Sequence, residues 1–115
     1  MTTLADKPDY SLYSNAFGYL RQPLDFKPLE SDADVVVIGL PFDMAVTGRS
    51  GGRMGPGAIR NASTNLAWEE KRWPWDFSLS EYIKIVDAGD LVFNCGDAAD
   101  FTERTENFAS KVLAS

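Results

Sequence analysis

DVVVIGLPFDMAVTGRSGGRMGPGAIR, residues Asp34 to Arg60, is the stretch that orders the rest of the chain. Its opening run, Val35-Val36-Val37-Ile38, does not alternate apolar with polar. A half-exposed strand alternates, so this run predicts a strand over about 34–39 that is covered on both faces, as in a parallel sheet. Pro41 ends the strand, because proline has no N–H to give a ladder. A glycine-rich loop follows over 41–54, holding Gly48, Gly51 and Gly52, with Gly55 and Gly57 just beyond. Gly55-Pro56 predicts a helix entrance with Pro56 at the first helical position, where a missing N–H costs nothing. Ile59, Ala62, Ser63 and Leu66 then recur at helical spacing and carry the helix to about residue 68. In open α/β sheets, loops leaving the carboxyl ends of strands build the ligand site.

Further along, Tyr82-Ile83-Lys84-Ile85-Val86-Asp87 predicts a second strand, rich in good strand formers. Ala88-Gly89-Asp90 is expected to turn the chain at its carboxyl end. Asp100 and Glu103 resemble a helix-capping pair. Phe101, Phe108, Val112 and Leu113 give one apolar face to a helix running to the end. The order is β-α-β-α, and the right-handed crossover rule makes the strands parallel neighbours. Two strands make a poor independent sheet, since about three or more are usually needed. The last helix reaches Ser115 without a glycine cap or a following strand. The expected organisation is therefore an N-terminal arm, 1–33, and the first β-α-β-α part of a larger α/β domain, 34–115, incomplete at its C-terminus.

The arm contains Pro8, Pro23 and Pro28, with Leu12, Tyr13, Phe17, Tyr19, Leu20 and Phe26 among them. A short helical turn is expected around 15–20, and the apolar residues cover either the domain's own edge or a neighbouring subunit. Glu69-Glu70-Lys71-Arg72 reads as an exposed helix end. Trp73-Pro74-Trp75-Asp76-Phe77 reads as a rigid aromatic loop packed on the sheet or on another subunit, because burying a large apolar side chain is worth roughly 1.5–3 kcal/mol.

The 115 residues suffice for one small domain with a modest core. Hydrophobic content of 44% and charged content of 24% are ordinary for a globular protein. A net charge of −6 argues against nucleic acid or an anionic membrane as the main partner. No apolar run approaches transmembrane length. With Cys95 as the single cysteine, no intrachain disulfide can form, which fits a reducing compartment. No signal-peptide pattern opens the chain, and Asp6 and Asp9 interrupt the place where one would lie. The expected location is the cytoplasm.

The chemistry open to this chain is narrow. It contains no histidine, so neither a histidine base nor a His-carboxylate transition-metal set exists in it. Any metal site would be all oxygen, from Asp43, Asp87, Asp90, Asp97 or Asp100. Against that stands the simpler reading that Asp87 and Asp90 cap turns. The glycine loop sits between strand and helix, the right context for a phosphate cradle, with Arg49 and Arg53 to supply charge. Its spacing nevertheless matches neither nucleotide-binding motif, and Pro56 removes one N–H that would face an anion. Asp43 is placed either to orient a cation or to tie down the loop through backbone N–H groups.

Leu40-Pro41-Phe42-Asp43, Gly51-Gly52-Arg53-Met54-Gly55-Pro56 and Ile59-Arg60 resemble the ureohydrolase family, which includes arginase and agmatinase. Ser14-Asn15-Ala16-Phe17-Gly18, Ser63-Thr64-Asn65-Leu66-Ala67-Trp68-Glu69, Trp73-Pro74-Trp75 and Val86-Asp87-Ala88-Gly89-Asp90 extend the likeness in the same order, with particular similarity to bacterial agmatinases. The resemblance implies a three-layer, arginase-like α/β fold around a mostly parallel sheet. It implies a complete enzyme in which two manganese ions activate a hydroxide that attacks the guanidinium carbon of agmatine, releasing urea and putrescine. It also implies a homo-oligomer. The family's metal-ligand segments, G-G-D-H, D-x-H-x-D and D-x-D-x-x-D-P, do not occur here, so no catalytic or metal residue is assigned and the isolated chain is expected to be inactive. The matched loop positions Asp43, Arg49, Gly51, Gly52, Arg53, Gly55 and Pro56 are expected to shape either the cleft or the loop itself, the structural role being the simpler reading for each. The competing readings are a catalytically inactive truncated paralogue or assembly module, and a small anion-binding α/β domain.

Overall fold

A computed structural model of the chain describes residues 16–68, 71 and 74–115. Strand β1, Val35–Gly39, and strand β2, Ile85–Asp90, form a parallel pair. Helix α1, Gly55–Trp68, crosses between them, and helix α2, Ala98–Ala114, follows β2. The β-α-β-α order and the parallel pairing are those the sequence predicts. Val35 pairs with Ile85, Val36 with Val86 and Val37 with Asp87. An irregularity follows, after which Gly39 pairs with Asp90.

The second strand lies three residues later than its composition predicts, and Ala88-Gly89-Asp90 belong to it rather than to a turn. Pairing to Gly39 carries the ladder out to Asp90, while Tyr82 ends a short 3-10 turn over Leu79–Glu81. Ladder partners thus overrode local propensity. Gly89 takes a left-handed φ of +79° inside the strand, and a Cβ there would lie 2.7 Å from the Phe26 ring. Only glycine satisfies both conditions.

The N-terminal arm adds to this sheet. Leu24 forms a parallel bridge with Asp87. The Asp87 N–H donates to the Pro23 carbonyl at 3.0 Å, and the Asp25 N–H donates to the Asp87 carbonyl at 2.8 Å. β2 therefore lies between β1 and the arm. The expected helical turn is a 3-10 turn over Tyr19–Arg21, packed on α1. Of the apolar arm residues, Leu12 and Tyr13 lie outside the described residues.

Burial departs from the sequence reading at several places. β1 was expected to be covered on both faces. Instead Val35 is 41% exposed, Val36 to Ile38 are half-buried and only Gly39 is buried. The physical reason is that β1 is the outer strand, and no further described strand pairs with it. α1 turns its hydroxyls inward: Ser63 and Thr64 are buried, while Ile59 is 60% exposed and Leu66 and Ala62 also face out. The helix begins at Gly55, so Pro56 is its second residue, still within the turn whose N–H groups lack helical partners.

α2 is capped by Asp97, whose carboxylate accepts the Asp100 N–H at 2.9 Å, not by the expected Asp100–Glu103 pair. Asp100 instead accepts from the Asn94 N–H and from Arg104. Phe101 meets Phe42 at 4.6 Å and Phe93 at 4.9 Å between ring centroids. The start of α2 is thereby held against the loops that follow β1 and β2. Phe108 and Val112 are half-buried, but Leu113 is exposed and does not share their face. In the aromatic loop, Trp75 stacks on Phe77 and Tyr82 meets Phe77 edge-on. Trp75 and Tyr82 remain exposed, whereas Phe77 is half-buried. Trp73, Glu69, Glu70 and Arg72 lie outside the described residues; Lys71 is exposed. No helix among the described residues is long and apolar enough to cross a membrane.

Candidate functional site

The carboxyl ends of β1 and β2 meet the entrance of α1, and charged groups gather there. The loop between β1 and α1 is closed by Asp43. Its carboxylate accepts the Gly51 N–H at 3.1 Å and Arg53 Nη1 at 2.8 Å. The Gly51 hydrogen bond, helped by Arg53, holds the Asp43 carboxyl below the usual carboxylate range despite some desolvation. Of the two roles open to Asp43, tying down the loop is the one its contacts support. Gly52 packs so near the Phe42 carbonyl that a Cβ would sit 3.0 Å from it. Arg49 and Arg53 are exposed. An anion cradle would need loop N–H groups aimed outward, yet the Gly51 N–H is engaged by Asp43 and Pro56 has none.

Behind the loop sits a cluster in which Arg60, to which the sequence assigns no site role, joins Asp87 and Asp90. Arg60 reaches from the second turn of α1 to both acids of β2. Its Nε and Nη2 grip Asp87 at 2.8 and 3.0 Å, and its Nη1 donates to Asp90 Oδ1 at 2.7 Å. The side chain of Asp87 is fully buried, that of Arg60 is 14% exposed and that of Asp90 is 44% exposed. Asp87 also accepts the N–H of Tyr19 and that of Gly89, each at 2.8 Å. Burial is the largest single influence on Asp87 and acts to raise its pKa. The Arg60 bonds and the two backbone N–H groups together outweigh it and leave the carboxyl below its ordinary value. The same hydrogen bonds to Asp87, then those to Asp90, raise the Arg60 pKa further above its ordinary value. Gly39 makes room for this arrangement: a Cβ there would lie 1.9 Å from Asp90 Oδ1 and 3.0 Å from Pro56 Cβ.

Asp87 keeps the local capping role weighed for it, accepting the N–H of Gly89 two residues on, but its main partner is Arg60, and Asp90 likewise anchors that arginine. The signal was the pairing of an inward arginine in the helix with acids at a parallel strand's end, which periodicity alone does not reveal. The donor set does not fit a manganese pair. Both oxygens of Asp87 are engaged, Asp90 is held by Arg60, Asp43 by Arg53 and Gly51, Asp97 by the Asp100 N–H, and Asp100 by Arg104 and Asn94. Among the described residues no three ligating side chains gather. Cys95 is exposed.

The parallel β-α-β unit with its closed glycine loop lies within a recognised family: the Arginase family model matches residues 33–115, and the chain belongs to that family. Its relatives narrow the likeness. It is 58% identical to the agmatinase of Edwardsiella ictaluri (strain 93-146) over 115 residues, all of this chain and 38% of that protein. Against the agmatinase of Neisseria meningitidis serogroup C it is 58% identical over 114 residues, 99% of this chain and 37% of the relative. Among solved structures, proclavaminate amidino hydrolase from Streptomyces clavuligerus superposes with a TM-score of 0.78 at 30% identity, covering 91% of this chain and 34% of that one. A hypothetical agmatinase from Burkholderia thailandensis gives 0.77 at 33% identity, covering 91% and 32%. The arginase-like α/β fold is thus that of this chain, and the chain spans about 38% of the length of the curated relatives it matches.

Proposed function

We propose that this chain is the N-terminal part of an agmatinase-like ureohydrolase that, in complete form, hydrolyses the guanidino C–N bond of agmatine to putrescine and urea. The observation that carries this reading is 58% identity to an agmatinase across every residue of the chain. Two manganese ions in the complete enzyme would supply a water activated at neutral pH. Since the carboxylates here are committed to arginines and backbone, other parts of the complete protein would hold those ions. The contribution of this chain is the frame of the cleft. Asp43, Gly51, Gly52 and Arg53 close the first strand-to-helix loop, Gly55 and Pro56 start α1 beside it, and Arg49 lies exposed on it. The division into an arm, 1–33, and the first β-α-β-α part, 34–115, belongs to the same proposal, as do a homo-oligomer and a cytoplasmic location.

The test is urea release. A complete protein carrying this chain, loaded with manganese, is expected to release urea from agmatine in preference to arginine; no release from agmatine overturns the reading. The isolated chain is expected to release none. The exposed apolar residues of β1 and α1 favour a second reading, an assembly module that supplies surface rather than chemistry. Manganese-dependent urea release by the isolated chain would remove it.

A further inference from the structure

We propose that Asp87 is a positioning residue through which the backbone of the N-terminal arm sets the entrance of α1 and the loop before it. The inference rests on the ureohydrolase reading for its effect on substrate, but its geometry stands apart from that reading. The arm touches the Arg60 cluster through main-chain groups. The Tyr19 N–H donates to Asp87 Oδ2, the oxygen that also receives Arg60 Nε. The next N–H, from Leu20, donates to Ser63 Oγ at 2.8 Å, and Ser63 in turn donates to the Arg60 carbonyl at 2.7 Å. Pro23 and Asp25 hold the main chain of Asp87 on its other side. Arg60 is thus gripped at its guanidinium and beside its own backbone by two successive arm residues.

This turn is not relaxed. Leu20 and Arg21 have φ of 55° and 54°, a left-handed pair without glycine. Such backbone persists only where its surroundings over-determine it. Gly18 completes the fit, since a Cβ there would lie 2.5 Å from Asp87 Cβ. Arg60 extends the grip to Asp90, which lies against Gly39 at the start of the β1–α1 loop, and Gly39 in turn lies close to Pro56 at the loop's other end. Loosening the arm should therefore move the loop, and with it the affinity for substrate.

The clean probe is Tyr19→Pro in a complete protein carrying this chain. Gly18 is extended, with ψ of −173°, and Tyr19 opens the 3-10 turn, so proline suits the backbone while deleting the N–H. Tyr19→Ala keeps the N–H and measures what the side chain alone contributes. The proline variant is expected to raise KM for agmatine about tenfold above the alanine variant, the factor that one lost hydrogen bond to a charged group is worth, with kcat per folded site retained. A merely structural arm would lower the folded fraction and leave KM alone. The Arg60 Nε–H is expected to exchange with solvent about tenfold faster in the proline variant. Ser63→Ala, which removes the Leu20 acceptor, should shift KM and exchange in the same direction and serves if Tyr19→Pro does not fold. Equal KM and equal exchange in the proline and alanine variants would overturn the proposal. If the unaltered protein releases no urea from agmatine, the ureohydrolase reading fails, and exchange at Arg60 alone decides the positioning role.

Discussion

Arg60 and Asp87 show how much one pair can hold. A guanidinium offers a planar fork that an ammonium does not, and here that fork grips Asp87 through Nε and Nη2 while Nη1 takes Asp90. Arg60→Met leaves the fully buried Asp87 without its counter-charge. The expected loss of stability is about 3 kcal/mol, at the low end for breaking a buried pair because Asp90 is partly solvated. Urea melts of the two proteins check it. The pH dependence follows from the lowered Asp87 pKa. The unfolded value is near 3.8 and the folded value lies below it, so the stabilisation is present above about 3.8 and drains as pH falls through the folded value. Thermal melts should show a steep acid limb below that pH, and the limb should flatten in Arg60→Met. An acid limb unchanged by the substitution assigns the loss to other carboxylates. Gly39→Ala forces a methyl onto Asp90 and is expected to cost about 1–3 kcal/mol; a melt within error of the parent would mean that Asp90 simply moves aside.

At the level of elements, the loop between β1 and α1 is held as a closed unit rather than as a free lid. Asp43 draws Gly51 and Arg53 back towards the end of β1. Asp43→Ala is expected to speed proteolytic cleavage within 44–53 while leaving the β1–β2 pairing intact, as measured by limited digestion and mass analysis. α2 depends on its first turn in a similar way. Removing the cap with Asp97→Ala should cost about 1 kcal/mol, read as a drop in helicity and in the melting transition. The helices also show where a sequence pattern misleads. α1 has apolar spacing, yet it faces the arm, and a turn of bare backbone needs a hydroxyl acceptor more than it needs a methyl group. Ser63 is buried for that reason and Ile59 is not.

Across the whole molecule the core is thin: Val86 and Ala88 are the buried apolar residues among those described. Val35, Ile59 and Val92 lie open on separate elements. The chain on its own should therefore bind a hydrophobic dye such as ANS and melt with low cooperativity, and a complete protein carrying it should not. Equal dye binding by the two would show that these faces remain open in the larger protein. The order β-α-β-α, the parallel pairing and the glycine loop were legible in the residues, because hydrophobic runs, prolines and glycines act locally and leave local marks; the arginase-family likeness was legible as a resemblance of motifs in the same order. The span of β2, the cap of α2, the inward face of α1 and the meeting of Tyr19, Arg60, Asp87 and Asp90 were decided only by tertiary structure. Each depends on which group lies opposite, across dozens of residues of chain, and a hydrogen-bond partner at that distance leaves no period or spacing in the sequence to read.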